Sequence, residues 1–322
     1  MRQSAARRYL LDLERLVQTG VRALPQGFVA RQAAYVRSAQ NGDGGFPGRD
    51  GASDPYYTSF ALRTAHLCDG STEPALWHRA GDYLTAANGS VAGIVDCFCL
   101  LYVAHLVGQY GWDGWDERER AEVVAAAGRT IGACHHSDGG YARAPGGPPS
   151  LYHTFLATLC CGLLDVPEPD GADVLRLVRA HGCAGGGFAD LVEDVDTGGG
   201  VNPTAAAVGL LSMAGRLQEI SVSGTAGLLL AMQREDGGFA PHADAPASDL
   251  LSTFTALLSL EALGAAGRAR LADVGRFVKA LSAPVGGFRG SRLDGTPDLE
   301  YTFYGLATLG LLALRVAGPQ DD

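Results

Sequence analysis

Gln40-Asn41-Gly42-Asp43-Gly44-Gly45-Phe46 decides how the chain is read, because its Gly-Gly-aromatic ending returns four more times. The copies are Gly139-Gly140-Tyr141, Gly186-Gly187-Phe188, Gly237-Gly238-Phe239 and Gly286-Gly287-Phe288. Successive aromatics lie 95, 47, 51 and 49 residues apart, and a degenerate copy near Asn88-Gly89 divides the long interval. The chain therefore reads as six repeats of roughly 48 residues, and self-similarity at such a period signals a repeat architecture.

Each repeat has the same grammar. An amphipathic helix such as Arg31–Ala39 runs into the glycines, a polar loop follows, and then comes a helix apolar almost all round, such as Phe155–Leu164. A helix with one wet face belongs outside and one apolar on every side must be buried on every side. The spacing predicts outer helices at 28–40, 73–87, 116–134, 171–182, 221–234 and 270–282. The inner set is predicted at 55–68, 96–109, 150–164, 203–216, 250–264 and 299–315. An open stack of such pairs needs polar terminal faces, yet the last inner helix, Tyr301–Leu309, is as apolar as the central ones. The expected fold is all-α, an (α/α)6 toroid over one domain spanning 1–322, with 1–27 as an N-terminal helical extension. Its axis leaves a funnel lined by Tyr56, Tyr57, Phe98, Tyr152, Phe155, Phe254, Tyr301 and Tyr304, the default ligand site.

Composition narrows the classes of function. A net charge of −10 without a basic run argues against nucleic acid as a partner. No run of about 18 uncharged apolar residues is present to span a bilayer, and the N-terminus carries no long apolar segment of the signal-peptide kind. Seven cysteines, several within apolar helical sequence, read as reduced thiols of a cytoplasmic protein.

The spacing Tyr35-Val36-x-x-x-Gln40-x-x-x-Gly44-Gly45-Phe46, repeated at Leu228-Leu229-x-x-x-Gln233-x-x-x-Gly237-Gly238-Phe239, resembles the glutamine–aromatic repeats of squalene/hopene cyclases and protein prenyltransferase β subunits. Physically, the glutamine can tie one outer helix to its neighbour, and the glycines permit a turn closed to other residues. The length of a single ring resembles the geranylgeranyl type of β subunit, whereas squalene-type cyclases are about twice as long. The resemblance implies transfer of a prenyl group from a polyprenyl diphosphate, farnesyl or geranylgeranyl, to an acceptor, with a helical partner subunit. It also implies a basic pair at Arg289 and Arg292 for the diphosphate, Asp298 as a zinc ligand and Tyr301 beside the diphosphate. Glu300 stands where the family has its zinc cysteine, and Tyr57 where one repeat would supply the zinc histidine.

Three further groups compete with structural readings. Asp54, Asp96, Asp249 and Asp298 recur before inner helices, where an aspartate caps free N–H groups and where converging helix N-termini favour an anion. Asp96, Cys99 and His153 offer mixed ligands for Zn²⁺, against buried structural cysteine. Asp194-Val195-Asp196-Thr197 is similar to the acidic motif of proton-initiated terpene cyclases, in which one carboxylic acid protonates an alkene. Against that stand a solvated acidic loop and a Mg²⁺ site for a diphosphate. The functional alternatives to prenyl transfer are therefore a small cyclase of that kind and a non-catalytic binding scaffold.

Overall fold

Where the chain turns at its glycine pairs, side chains are excluded by backbone. The computed structural model describes residues 4–68, 74–86 and 92–316, so the degenerate copy at Asn88-Gly89 lies outside the described residues. Helix α1 (Ala5–Arg22) leads. Six outer/inner pairs follow: α2 (Gln26–Ser38) with α3 (Pro55–Leu67), α4 (Pro74–Ala86) with α5 (Ile94–Gln109), and α6 (Glu117–Cys134) with α7 (Leu151–Leu164). The rest are α8 (Gly171–Ala180) with α9 (Val201–Met213), α10 (Val222–Ala231) with α11 (Leu250–Ala262), and α12 (Leu271–Leu281) with α13 (Leu299–Val316). Each inner helix packs on the next, and α13 packs back on α3, so the ring is closed. The fold is the expected α/α toroid; a two-residue antiparallel ribbon, Tyr141–Ala142 with Pro149–Ser150, is a minor addition.

The glycine turn is a clasp. Gly44 has φ +91°, and a Cβ there would lie 2.0 Å from the carbonyl oxygen of Arg79 on the next outer helix, α4. Only a residue without Cβ satisfies both the conformation and the approach. The last turn repeats this against the first outer helix: Gly286, at φ +105°, abuts the Arg31 carbonyl, and Gly287 N–H donates to Gln32 Oε1 at 2.8 Å. Gln40 Nε2 reaches Leu76 O at 3.0 Å, and Gln233 exchanges bonds with the Arg270 backbone at 2.9 and 3.3 Å. These are the inter-repeat ties that the glutamine spacing predicts.

A second element of the clasp was not read from the sequence. The N–H of each clasp aromatic donates to a buried threonine in the first turn of the following inner helix: Phe46 to Thr58, Tyr141 to Thr154, Phe188 to Thr204, Phe239 to Thr253 and Phe288 to Thr302, all at 2.9–3.1 Å. The bond fixes where the loop re-enters the ring. Phe46, Phe239 and Phe288 are fully buried behind it.

Inner-helix entry is set by caps. Asp54 accepts from Tyr56 and Tyr57 N–H with Pro55 at the first helical position, Asp249 accepts from Ser252 N–H, and Asp298 from Tyr301 N–H. Asp96 departs from the expectation. It lies inside the first turn of α5, Gly93 occupies the cap position, and the carboxylate accepts from Ala92 N–H instead.

Helix α1 lies across the C-terminal ends of the inner helices, packing on α13, α7, α3 and α9. Gly20 and Gly310 touch backbone to backbone, a Cβ on Gly162 would meet Arg7 N at 2.6 Å, and Gln18 Nε2 donates to His66 O at 2.8 Å. Ala6, Leu10, Val17 and Val21 are buried against the ring. The helix is part of the toroid's body.

Gly44→Ala should destabilise the fold by at least about 3 kcal/mol, combining backbone strain with overlap on α4. Gly51 has φ +90° with open space around it, so Gly51→Ala should cost only the strain, about 1–2 kcal/mol. Urea unfolding of both variants measures the difference; equal losses would remove the clasp from the account.

Candidate active site in an aromatic cavity

Because all six inner helices run the same way, their first turns form one mouth and α1 covers the other end. Between them lies a cavity of about 660 Å³. Tyr56, Phe60, Phe98, Tyr152, Phe155, Phe254 and Tyr304 face it, with aliphatic carbon from α9 and α11. Tyr9, Leu13 and Leu16 of α1 form its floor. Small residues make the room: a Cβ on Gly209 would meet the Phe155 ring at 2.6 Å. Tyr152 is 40% exposed at the mouth, and Leu16 is 44% exposed where α1 leaves a gap beside α9 and α11.

Of the expected lining, Tyr57 and Tyr301 stand elsewhere. Tyr57 packs over Gly48 and Tyr301 over Gly290, both in the loops outside the ring. Phe60 was missed although it lies one turn after Tyr56 on the same face of α3.

The mouth is acidic. Glu300, second residue of α13, accepts a 2.8 Å hydrogen bond from the Tyr56 hydroxyl across the ring's closing seam. Burial pushes the Glu300 carboxyl up to about 7, with Asp298 and Asp249 adding repulsion, while Tyr56 and Arg63 act the other way. Asp298 is buried, and burial raises it too; Tyr301 N–H and the Arg49 guanidinium, 3.5 Å away, oppose that. Arg49 also reaches Asp294 at 3.4 Å, so this cation at the mouth is held by carboxylates. The Tyr56 phenol is pushed far up by burial and by Tyr304 and Glu300, which keeps it a neutral donor.

The other candidate residues fall apart in space. Arg289 donates to the Ala280 carbonyl at the end of outer helix α12, Arg292 is exposed, and neither faces the cavity. Asp194 and Asp196 sit exposed in a short 3₁₀ turn, Val192–Thr197, away from the cavity lining. His153 is held by Ser150 Oγ at 2.8 Å, and burial lowers its pKa. Cys99 faces the cavity with its thiol pushed up to about 12 by burial. Among the described residues no three His, Cys, Asp or Glu side chains converge into a set able to hold a metal ion. Neither Asp96, Cys99 and His153 nor Asp298 and Glu300 fit the zinc that the resemblance implies, and the exposed carboxylates 194 and 196 form no Mg²⁺ set either.

A sequence profile of the prenyltransferase alpha-alpha toroid domain matches residues 93–320, and the chain belongs to that family. No curated protein matches it by sequence. Among solved structures it is similar to Candida albicans protein geranylgeranyltransferase-I complexed with GGPP, at 14% identity and TM-score 0.66 over 89% of this chain and 92% of that one. It is also similar to the type II terpene cyclase MstE from Scytonema, at 13% identity and TM-score 0.57 over 94% of this chain and 99% of that one. A protein from Actinoplanes matches at 15% identity and TM-score 0.56, over 91% and 99%. The near-complete coverage of the Scytonema cyclase overturns length as a criterion: a single ring of this size is shared by both branches. No helix of the described residues is long and apolar enough to cross a membrane.

The raised Glu300 carboxyl carries a pH signature. The folded state keeps its proton to higher pH than the unfolded chain, whose group has the ordinary value of 4.5. Stability from this group is thus complete below about pH 4.5 and lost as pH rises through about 7. Glu300→Gln should remove that loss, on the order of 2 kcal/mol given partial exposure. Denaturation of both proteins at pH 5 and pH 8 measures it, and an unchanged pH dependence would contradict the buried acid.

Proposed function

We propose that the chain is an isoprenoid-binding enzyme that starts cyclisation or isomerisation of a polyprenyl chain by protonating an alkene. The observation that carries this reading is the Tyr56–Glu300 pair at the mouth of a cavity walled by aromatic rings. An acid with a pKa of about 7 is substantially protonated near neutrality and still gives its proton up, which is what general acid catalysis needs.

In the proposed step Glu300 is protonated and the bond between the pair is reversed, its carboxyl O–H donating to the Tyr56 oxygen; Tyr56 passes its hydroxyl proton to an alkene carbon of the bound chain while Glu300 passes its own proton to the Tyr56 oxygen. Phenolate never forms, in keeping with the raised phenol pKa, and Glu300 ends as carboxylate. The carbocation is attacked by a second alkene of the same chain, forming the ring bond. It then loses a proton, which returns to the Tyr56–Glu300 pair, so the product is an isomer of the substrate. Faces of Tyr152, Phe254 and Tyr304 stabilise the travelling charge by cation–π attraction. The acid of this reading is Glu300; Asp194 and Asp196 have no access to the cavity.

Prenyl transfer from a polyprenyl diphosphate is the second reading. Its support is Arg49 at the mouth beside Asp298, together with converging helix N-termini that favour an anion. On this reading a diphosphate would have to take Arg49 from Asp294 and Asp298.

Tyr56→Phe and Glu300→Gln should each lower turnover of a geranylgeranyl probe to equal-mass isomers by about 10²–10⁴-fold. For the wild type, kcat/KM should fall about tenfold per pH unit above about 7, as the acid is titrated away. Chromatography with mass detection reads both. Pyrophosphate release without isomer formation would shift the assignment to transfer, and full activity in Glu300→Gln would end the proton-donor role.

A further inference from the structure

The cavity lining carries two arginines that the proton-donor step does not use: Arg8, exposed on α1, and Arg63, half-buried on the wall. Arg63 stands on α3 seven residues after Tyr56, two turns on and along the same face, about 10 Å deeper. Its guanidinium carbon lies 3.8 Å from the Phe303 ring centroid, 5.1 Å from Phe60 and 5.3 Å from Tyr102. Arg63 Nε is buried with no hydrogen-bond partner. No carboxylate of the described residues lies within ion-pair distance of it. Glu14 of α1 is directed instead to the Tyr102 hydroxyl, which also contacts Arg63, and burial raises the Glu14 carboxyl. The ring faces, the Tyr102 hydroxyl and the field of Glu14 offset part of the desolvation cost of this guanidinium, and no carboxylate pairs with it directly.

We infer that Arg63 anchors a carboxylate end group of the isoprenoid ligand, deep in the cavity, with the chain running outward to the Tyr56–Glu300 pair. The inference rests on the reading of the cavity as an isoprenoid site and adds the polarity of the bound chain. A guanidinium's planar fork matches a planar carboxylate with two parallel N–H···O bonds, and Arg63 lines the cavity beside Ser59 and Phe60. The same positive charge repels a carbocation, so charge development is confined to the mouth end, where Glu300 and Asp298 are. Arg63 is thus a positioning and specificity residue for the end group, and the reacting alkene lies toward the mouth.

Isothermal titration with two probes tests this: geranylgeranoic acid, and the hydrocarbon of the same chain ending in a methyl group. The intact chain should bind the acid at least tenfold more tightly than the hydrocarbon. Arg63→Gln should abolish that ratio through loss of acid affinity alone, with hydrocarbon affinity unchanged, and Arg63→Lys should restore part of it. Glu14→Gln/Arg63→Gln, which removes both buried charges, should behave as the single variant does and serves if Arg63→Gln fails to fold. A ratio near one in the wild type, or an unchanged ratio in the Gln variants, overturns the anchor while hydrocarbon binding leaves the cavity reading standing. Binding of neither probe overturns both.

Discussion

A carbonyl oxygen pressed against a glycine is the contact on which the toroid depends. At Gly44 the neighbour is Arg79 of α4, and at Gly286 it is Arg31 of α2, so one interaction both sets the step between repeats and shuts the ring. Its geometry is strict because two demands coincide, a positive φ and an approach that no Cβ survives. The threonine bond from the following aromatic then fixes the re-entry of the chain. Backbone contacts recur at Gly186 and Gly237, and with the threonine bonds at α3, α7, α9, α11 and α13 they give these inner helices a common direction and register. That is why caps and first-turn side chains gather at a single mouth, while the bore beyond is walled mostly by carbon, with Arg63 among its few polar side chains.

The mouth combines opposing electrostatic influences. Inner-helix N-termini present free N–H groups and positive dipole ends, which favour negative charge. Asp54, Asp249 and Asp298 use this directly as caps. Glu300 sits two residues beyond the cap Asp298, so it has Tyr56 as its hydrogen-bond partner and the field of Asp298 and Asp249 against it. Burial and like charge outweigh the single phenolic bond at Glu300, and at Asp249 and Asp298 burial also raises the carboxyl against the backbone bonds that pull the other way. Two acidic residues on one turn, Asp298 and Glu300, thereby have different partners, a backbone N–H for one and a phenol for the other.

The fold was legible because the clasp is local. Gly-Gly-aromatic spacing, apolar inner helices and glutamine ties are all readable within one repeat, and the observed helices lie within two or three residues of the expected ends. The site was legible only in part. Tyr56, Phe98, Tyr152, Phe155, Phe254 and Tyr304 follow from inner-helix periodicity, but Arg289 and Arg292 depend on the course of a loop, which turns Arg289 toward Ala280. Glu300 was visible as a departure from the zinc-binding pattern; that its side chain meets Tyr56 depends on ring closure between the last and first repeats, 244 residues apart. Arg63 did leave a signal, a guanidinium in the apolar stretch Ser59-Phe60-Ala61-Leu62-Arg63, readable once α3 is known to be an inner helix.

Helix α1 lies outside the repeat grammar, yet the cavity's chemistry depends on it. A ring of six inner helices is open at both ends, and water entering from the C-terminal end would quench any cation formed inside. Tyr9, Leu13 and Leu16 supply carbon at that end, and the backbone contact of Gly20 with Gly310 sets the helix close enough for these residues to form a floor. The same helix contributes Glu14, which tempers the Arg63 charge through Tyr102 without pairing with it. The floor of the cavity thus comes from one non-repeating element, whereas Tyr56 and Arg63 stand on the repeat helix α3. In this chain the clasp builds the wall and the N-terminal helix the floor, so the fold alone does not fix the reaction.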